Sequence, residues 1–352
     1  MGRHMVKKSY MNMNLIILTL VMMILVVLLA LGFGAVNVNF MNTLKIVGHH
    51  IPKLDQIISL DGIKASHVTI IMDLRLPRII VALFTGAALA IVGCAFQGVF
   101  KNPMADPFVI GISSGAALGA TIGLILNLSS NVFGFTGVSI CAFFGALVTV
   151  LVVLKIAAIQ KKLPTTTLLL AGISINYLFS ALISLLMILN RHKLESVYLW
   201  TLGSFNASKW SEVMLIIPVV VIGSAILWMY SKELNIMLLG DDDASTLGIH
   251  VHRTKKIILC VSSLMVAVVV SASGIIAFVG LIIPHTVRIL SGPNHKRLIP
   301  LAMIVGGIFM VICDTIARTV ISPAELSVGI ITSLFGVPFF LGLLYQSKKK
   351  MV

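Results

Sequence analysis

Three consecutive carboxylates, Asp241, Asp242 and Asp243, stand close to Arg253, Lys255 and Lys256 in a chain of 352 residues where charged residues make up only 11%. Gly240 opens this polar island, and Ala244, Ser245, Thr246, Leu247, Gly248, Ile249, His250 and Val251 complete it. Six long apolar segments precede it and four follow. A run of this kind is where such a chain meets something in water. Asp314 and Arg318 form a second candidate, four residues apart and so spaced for an intrahelical ion pair. Charge inside an apolar segment is costly enough to be functional by default, although a pair that only stabilises its own helix fits equally well.

Two further patterns have a chemical reading and a plainer one. Gly111-Ile112-Ser113-Ser114-Gly115 fits the GxSxG turn of a serine hydrolase, which would make Ser113 a nucleophile. That turn needs a strand before the serine, whereas the segment here is apolar and helical throughout. His49, His50 and His67 could hold a metal, yet they lack helical i, i+4 spacing and nearby cysteine, so a solvated loop is the better account and no metal site is expected. Near the other end of the chain, Gly280 and Pro284, with His285 beside it and Arg288 one turn on, should break a helix. Broken spans are tolerated where the backbone is buried in protein or lines a cavity, which makes this stretch a candidate moving part.

The elements that position these residues follow from composition. Hydrophobic residues make up 58% of the chain and its mean hydropathy is +1.07. Soluble domains carry about a quarter charged residues, so a soluble protein is excluded. Apolar runs of about 20 residues cross the roughly 30 Å hydrocarbon core as helices. Ten such spans are expected, near 14–36, 76–97, 107–128, 133–157, 165–190, 212–231, 257–273, 275–291, 299–320 and 328–345. The fold class is therefore an all-α polytopic membrane protein. The first apolar segment follows Lys7 and Lys8 like a signal peptide, but its length and the lack of a clear cleavage site favour a retained span. Gly2-Arg3-His4 reads as an expression remnant.

An even number of spans puts both termini on one side, and both are basic. With that side as the cytoplasm, 17 of the 26 Lys and Arg lie inside, in agreement with the positive-inside rule. The formal charge of +14 is thereby a matter of topology, and no nucleic-acid partner is implied. The rule leaves an outer set unexplained, including Arg75, Arg78 and Arg318. An amphipathic helix is expected around Leu54 to Ile71 in the first outer segment. Cys94, Cys141, Cys260 and Cys313 each sit in an apolar segment without CxxC spacing and read as small packing residues. Gly111, Gly115, Gly119 and Gly123, at strict four-residue spacing, should let two helices approach closely. Pro164 followed by Thr165, Thr166 and Thr167 makes a helix start at the inner surface, where the threonines either cap the helix or line the mouth of a pathway.

Three stretches together resemble the FecCD family, the permeases of ABC importers for iron-siderophore complexes, haem and vitamin B12. They are Arg75-Leu76-Pro77-Arg78 with Gly98-Val99-Phe100-Lys101-Asn102-Pro103-Met104-Ala105-Asp106-Pro107, the island ending Ala244-Ser245-Thr246-Leu247-Gly248, and residues 273–288 from Ser273-Gly274 to Pro284-His285-Thr286-Val287-Arg288. The resemblance covers residues 15–346 and implies an ABC importer permease of type II in the cell membrane of a bacterium. Residues 1–13 are then a cytoplasmic N-terminus, 14–346 one transmembrane domain and 347–352 a basic cytoplasmic tail. The resemblance further implies two permease subunits, identical or paralogous, on a dimer of ABC ATPase subunits, with a substrate-binding protein docking from outside. It makes 240–251 the loop that couples to the ATPase, with Gly240, Asp241, Asp242, Asp243, Ala244, Ser245, Leu247 and Gly248 in contact. It places Arg75, Arg78 and Arg318 against acidic residues of the binding protein, and Thr165 and Thr166 at the inner gate. The sequence has no GxxxxGK[ST] phosphate loop and no HExxH, so ATP and Mg would belong to the partner ATPase, with no cofactor on this chain and no enzymatic activity of its own. The reading set against this one is a secondary transporter driven by an ion gradient through Asp314, Arg318 or Glu325.

Overall fold

A computed structural model describes residues 2–128, 131–132, 135–159 and 163–349. Lys161, Lys162 and Lys350, counted above with the inner basic residues, lie outside the described residues, as does the end of the tail.

The apolar runs become helices because a backbone in lipid has to satisfy its own hydrogen bonds. Helix α1 (Gly2–Gly32) is followed by α2 (Phe40–His49) and the short α3 (Ala65–Thr69). A π-helical turn, Ile70–Arg75, leads into α4 (Leu76–Val99), and a 3-10 turn, Pro107–Ile110, into α5 (Ile112–Ile125). Two two-residue strands, Asn131–Val132 and Phe135–Thr136, pair antiparallel before α6 (Gly137–Ala157) and α7 (Thr165–Leu189). The chain continues through α8 (Leu194–Thr201), α9 (Trp210–Met229), α10 (Ser231–Met237), α11 (Asp241–Thr246) and α12 (Val251–Ser273). It closes with α13 (Val279–Ser291), α14 (His295–Ala317) and α15 (Val328–Lys349).

Among the described residues, seven helices are long and apolar enough to cross a membrane, and three shorter apolar ones, α5, α13 and the first part of α15, fall at the remaining expected spans. The architecture is the expected polytopic helical one, with ten spans as an approximate count. At 1.5 Å per residue α5 and α13 are each only about 20 Å long, short of the hydrocarbon thickness. The segment 37–75 differs from expectation. Instead of one amphipathic helix around Leu54 to Ile71 it holds α2, turns, and α3, because Pro52 and the left-handed residues Lys53 and Gly62 interrupt it.

Helix α4 is the axis of the bundle. It packs against α14, α13, α9 and α12, and its spanning window is 83% buried, against 11% for α1 and α7. The small residues of α4 explain the closeness. A Cβ on Gly93 would stand 2.0 Å from the carbonyl oxygen of Gly280 on α13, and one on Gly86 2.2 Å from that of Gly306 on α14. The four-residue glycine stripe works the same way. Gly115 meets Thr149 and Gly145, and Gly119 meets Cys141, all on α6. Gly111 plays a different part, as the left-handed residue between the 3-10 turn and α5.

Candidate functional site

Arg78 lies in the first turn of α4 and Lys101 just beyond its last, so roughly 35 Å of helix separates them, more than the hydrocarbon core is thick. A cluster of charge gathers at each end.

At the first end, Arg78 meets Asp314 of α14. Its Nε donates to Oδ1 at 2.9 Å and its Nη2 lies 2.8 Å from the same oxygen, while Nη1 reaches Glu325 at 2.8 Å and Asn206 at 3.1 Å. The planar guanidinium suits this, since its fork can engage two carboxylates at once. The expected pair of Asp314 with Arg318 is present at 3.6 Å, but Arg78 is the nearer partner. Arg75 and Arg318 turn to the end of α1. Arg75 Nη1 donates to the carbonyls of Leu31 at 2.8 Å and Gly32 at 3.1 Å, its Nη2 to that of Val36, and Arg318 Nη2 to that of Ala30 at 2.6 Å. The final carbonyls of a helix lack partners within it, and cations there also favour the helix dipole.

All three arginines line one cavity of about 250 Å³ with Glu325, Asn206 and Ser208. Among the described residues of this cluster, three guanidinium groups face two carboxylates, Asp314 and Glu325, which leaves one positive charge over within it. Arg318 is only 3% exposed, because its side chain folds back to the Ala30 carbonyl at the end of α1.

At the other end, after α10, the polar island forms α11 and the start of α12. Asp241 opens α11, with Gly240 before it at φ 144. Its Oδ2 accepts from Lys255 Nζ at 2.5 Å and its Oδ1 lies 2.9 Å from Lys101 Nζ. Burial alone would raise the Asp241 carboxyl, but the two ammonium groups outweigh it and hold the carboxyl below its ordinary value. Lys255 is fully buried, and its Nζ also reaches Thr165 Oγ1 at 3.5 Å. Asp242, Asp243, Ser245, Leu247 and Gly248 are exposed, and Ala244 is buried beneath them. Pro164, not a threonine, caps α7, and no side-chain bond caps its start, so capping does not account for Thr165 and Thr166. Thr165 is half-buried in the network and Thr166 is exposed.

The break expected at Gly280 and Pro284 lies earlier. Helix α12 ends at Ser273; Gly274 at φ 71 and Phe278 at φ 71 then bound an irregular segment, and α13 runs unbroken through Gly280, Pro284 and His285. Pro284 does remove one backbone hydrogen bond. The carbonyl it would have used, that of Gly280, accepts from Gln97 Nε2 of α4 at 3.3 Å, and Gln97 Oε1 accepts from Arg288 at 2.7 Å. This exchange keeps the helix whole. Phe278 packs against Gly336 of α15, where a Cβ would stand 2.3 Å from its ring.

Ser113 sits in the first turn of α5 behind a 3-10 turn, not on a strand-to-helix elbow, so the hydrolase geometry is missing. His49 and His50 bond to the carbonyls of Ile58 and Ile46, and no cluster of three metal-ligating side chains occurs among the described residues. Sequence reasoning missed Gln97 and the role of Lys255. The signal for Lys255 was its helical phase. It shares a face with Val251, Ile258 and Ser262, all buried, whereas its neighbour Lys256 is exposed.

The profile of the FecCD transport family matches residues 22–346. The cobalamin import system permease protein BtuC of Halobacterium salinarum is 43% identical over 283 residues, 80% of this chain and 75% of that one. The hemin transport system permease protein HmuU of Yersinia pestis is 35% identical over 287 residues, 79% of this chain and 84% of that one. Among solved structures, a metal-chelate type ABC transporter in an inward-facing conformation is similar at a TM-score of 0.81 and 31% identity, over 95% of this chain and 99% of that one.

Proposed function

The chain belongs to the FecCD transport family, and from that premise we propose that it is the membrane-spanning permease subunit of an ATP-driven importer. It takes a metal chelate from an extracytoplasmic binding protein and releases it to the cytoplasm by alternating access. The likeness to permeases named for cobalamin and hemin, and to a metal-chelate transporter, supports that substrate class. Iron-siderophore, haem and cobalamin all fall within it.

The observation that carries this reading is the arrangement of charge about α4. One end presents an arginine-lined cavity with surplus positive charge; the other presents a short exposed acidic helix, α11, set between longer ones. The first suits carboxylates of a docking binding protein, through Arg75, Arg78 and Arg318. The second suits a cleft in an ATPase subunit, through the exposed Asp242, Asp243, Ser245, Leu247 and Gly248, while Ala244 is buried and Asp241 is held by Lys101 and Lys255. ATP and Mg are held by that ATPase, a dimer beneath two permease subunits, which are identical or paralogous. Both termini face the cytoplasm.

Gentle solubilisation of native membranes, purification of this chain and mass spectrometry of what accompanies it test the proposal. A stoichiometric partner with a phosphate loop is expected. A chain that comes out alone even after mild crosslinking would contradict it.

A further inference from the structure

Asp241 does not face outward with Asp242 and Asp243. It turns in, and three separate parts of the chain converge on it: Lys101 from the loop after α4, Lys255 from α12 and, through Lys255, Thr165 at the start of α7. A second bond joins the same two helices, from the backbone N–H of Leu163 just before α7 to His252 Nδ1 of α12 at 3.5 Å. Lys255 is 0% exposed, and Asp241, its ion-pair partner among the described residues, has 36% of its side chain exposed. A buried ammonium whose carboxylate is pulled away is left without compensation, so this contact resists stretching far more than a surface pair would.

We propose that half-buried Asp241 and fully buried Lys255 form an ionic linkage that makes α11 and the inner ends of α7 and α12 move as one body. Asp241 and Lys255 are then positioning residues for the gate at Thr165. Asp242 and Asp243 are left to face the ATPase, and Lys101 extends the linkage to the end of α4. This rests on the permease reading and adds to it the path by which displacement of α11 reaches the gate.

The test uses the chain with its partner ATPase and binding protein in vesicles, and reads substrate imported per ATP hydrolysed together with recovery of ATPase on the purified permease. Asp241→Asn is expected to retain the ATPase at the wild-type ratio and to lower import per ATP about fivefold or more, the size of an ordinary coupling between sites. Asp241→Glu keeps the charge and should restore most of it. Because Asp241→Asn leaves Lys255 charged and unpaired, the double variant D241N/K255M serves as the check on folding. It leaves no fully buried charge unpaired, since Lys101, the other partner of Asp241, is one-third exposed to solvent, and it should assemble normally and still import poorly.

Import per ATP at the wild-type level in D241N/K255M would overturn the linkage. So would loss of the ATPase from Asp241→Asn with import per ATP unchanged in the complexes that remain, since Asp241 would then be a contact residue. If the wild-type chain recovers no ATPase, it is the permease reading that fails.

Discussion

Arg78 shows how a residue can be legible while its partners are not. Its motif, Arg75-Leu76-Pro77-Arg78, stands out against the expected charge bias, but Asp314 and Glu325 come from the far end of the chain. Nothing in local spacing joins them. Arg78→Ala would leave Asp314, which is fully buried, with Arg318 at 3.6 Å as its remaining ion-pair partner among the described residues. Breaking a buried pair from one side costs about 3–5 kcal/mol, so a clearly lowered thermal midpoint in detergent is expected. An unchanged midpoint would show that Arg78 is held ready for docking and not for stability. Asp241 offers a test in pH. Its carboxyl is held below the ordinary 3.8, so the charged form is the one the fold favours. The contribution is complete above that value and is lost as pH falls through the lower folded one. Hydrogen exchange in residues 240–251 should therefore be flat from pH 8 to 5, after correction for the intrinsic rate. A rise within that window would contradict the pairing.

At the scale of elements, the spans were legible because apolar length is a direct consequence of bilayer thickness. The stripe Gly111 to Gly123 was legible too, apart from Gly111, which turns the chain instead of packing. The position of the broken helix was not. Proline and glycine in sequence say that a backbone bond is missing, but not that a glutamine on another helix supplies it, as Gln97 does for Gly280. Nor does any rule of propensity announce Phe278 in the left-handed region. Gln97→Leu removes the donor to Gly280 and the acceptor for Arg288 together. A loss of about 1–3 kcal/mol for each group left unpaired is expected, read as a lowered thermal midpoint. Substituting Gly93 by leucine should be worse, since even a Cβ would collide with the α13 backbone, and a variant that assembles normally would refute the central packing of α4.

At the scale of the molecule, the two charged clusters lie at opposite ends of the helix most buried in the bundle. On the proposed permease reading, a docking surface at one end of this axis and a driven loop at the other are what alternating access needs, since interfaces between packed helices switch between discrete arrangements. The sequence carried this far because its three motif stretches all fall within residues 22–346, which the family profile matches. It carried no further because lipid-facing and subunit-facing apolar surfaces look alike in composition. The exposed faces of α1 and α7 are examples. The most direct test is uptake by vesicles containing the chain with its ATPase. Import of a metal chelate should require ATP inside the compartment that corresponds to the cytoplasm, together with the binding protein outside, and should continue when an uncoupler collapses the ion gradient. Uptake that stops with the uncoupler and ignores ATP would contradict the account.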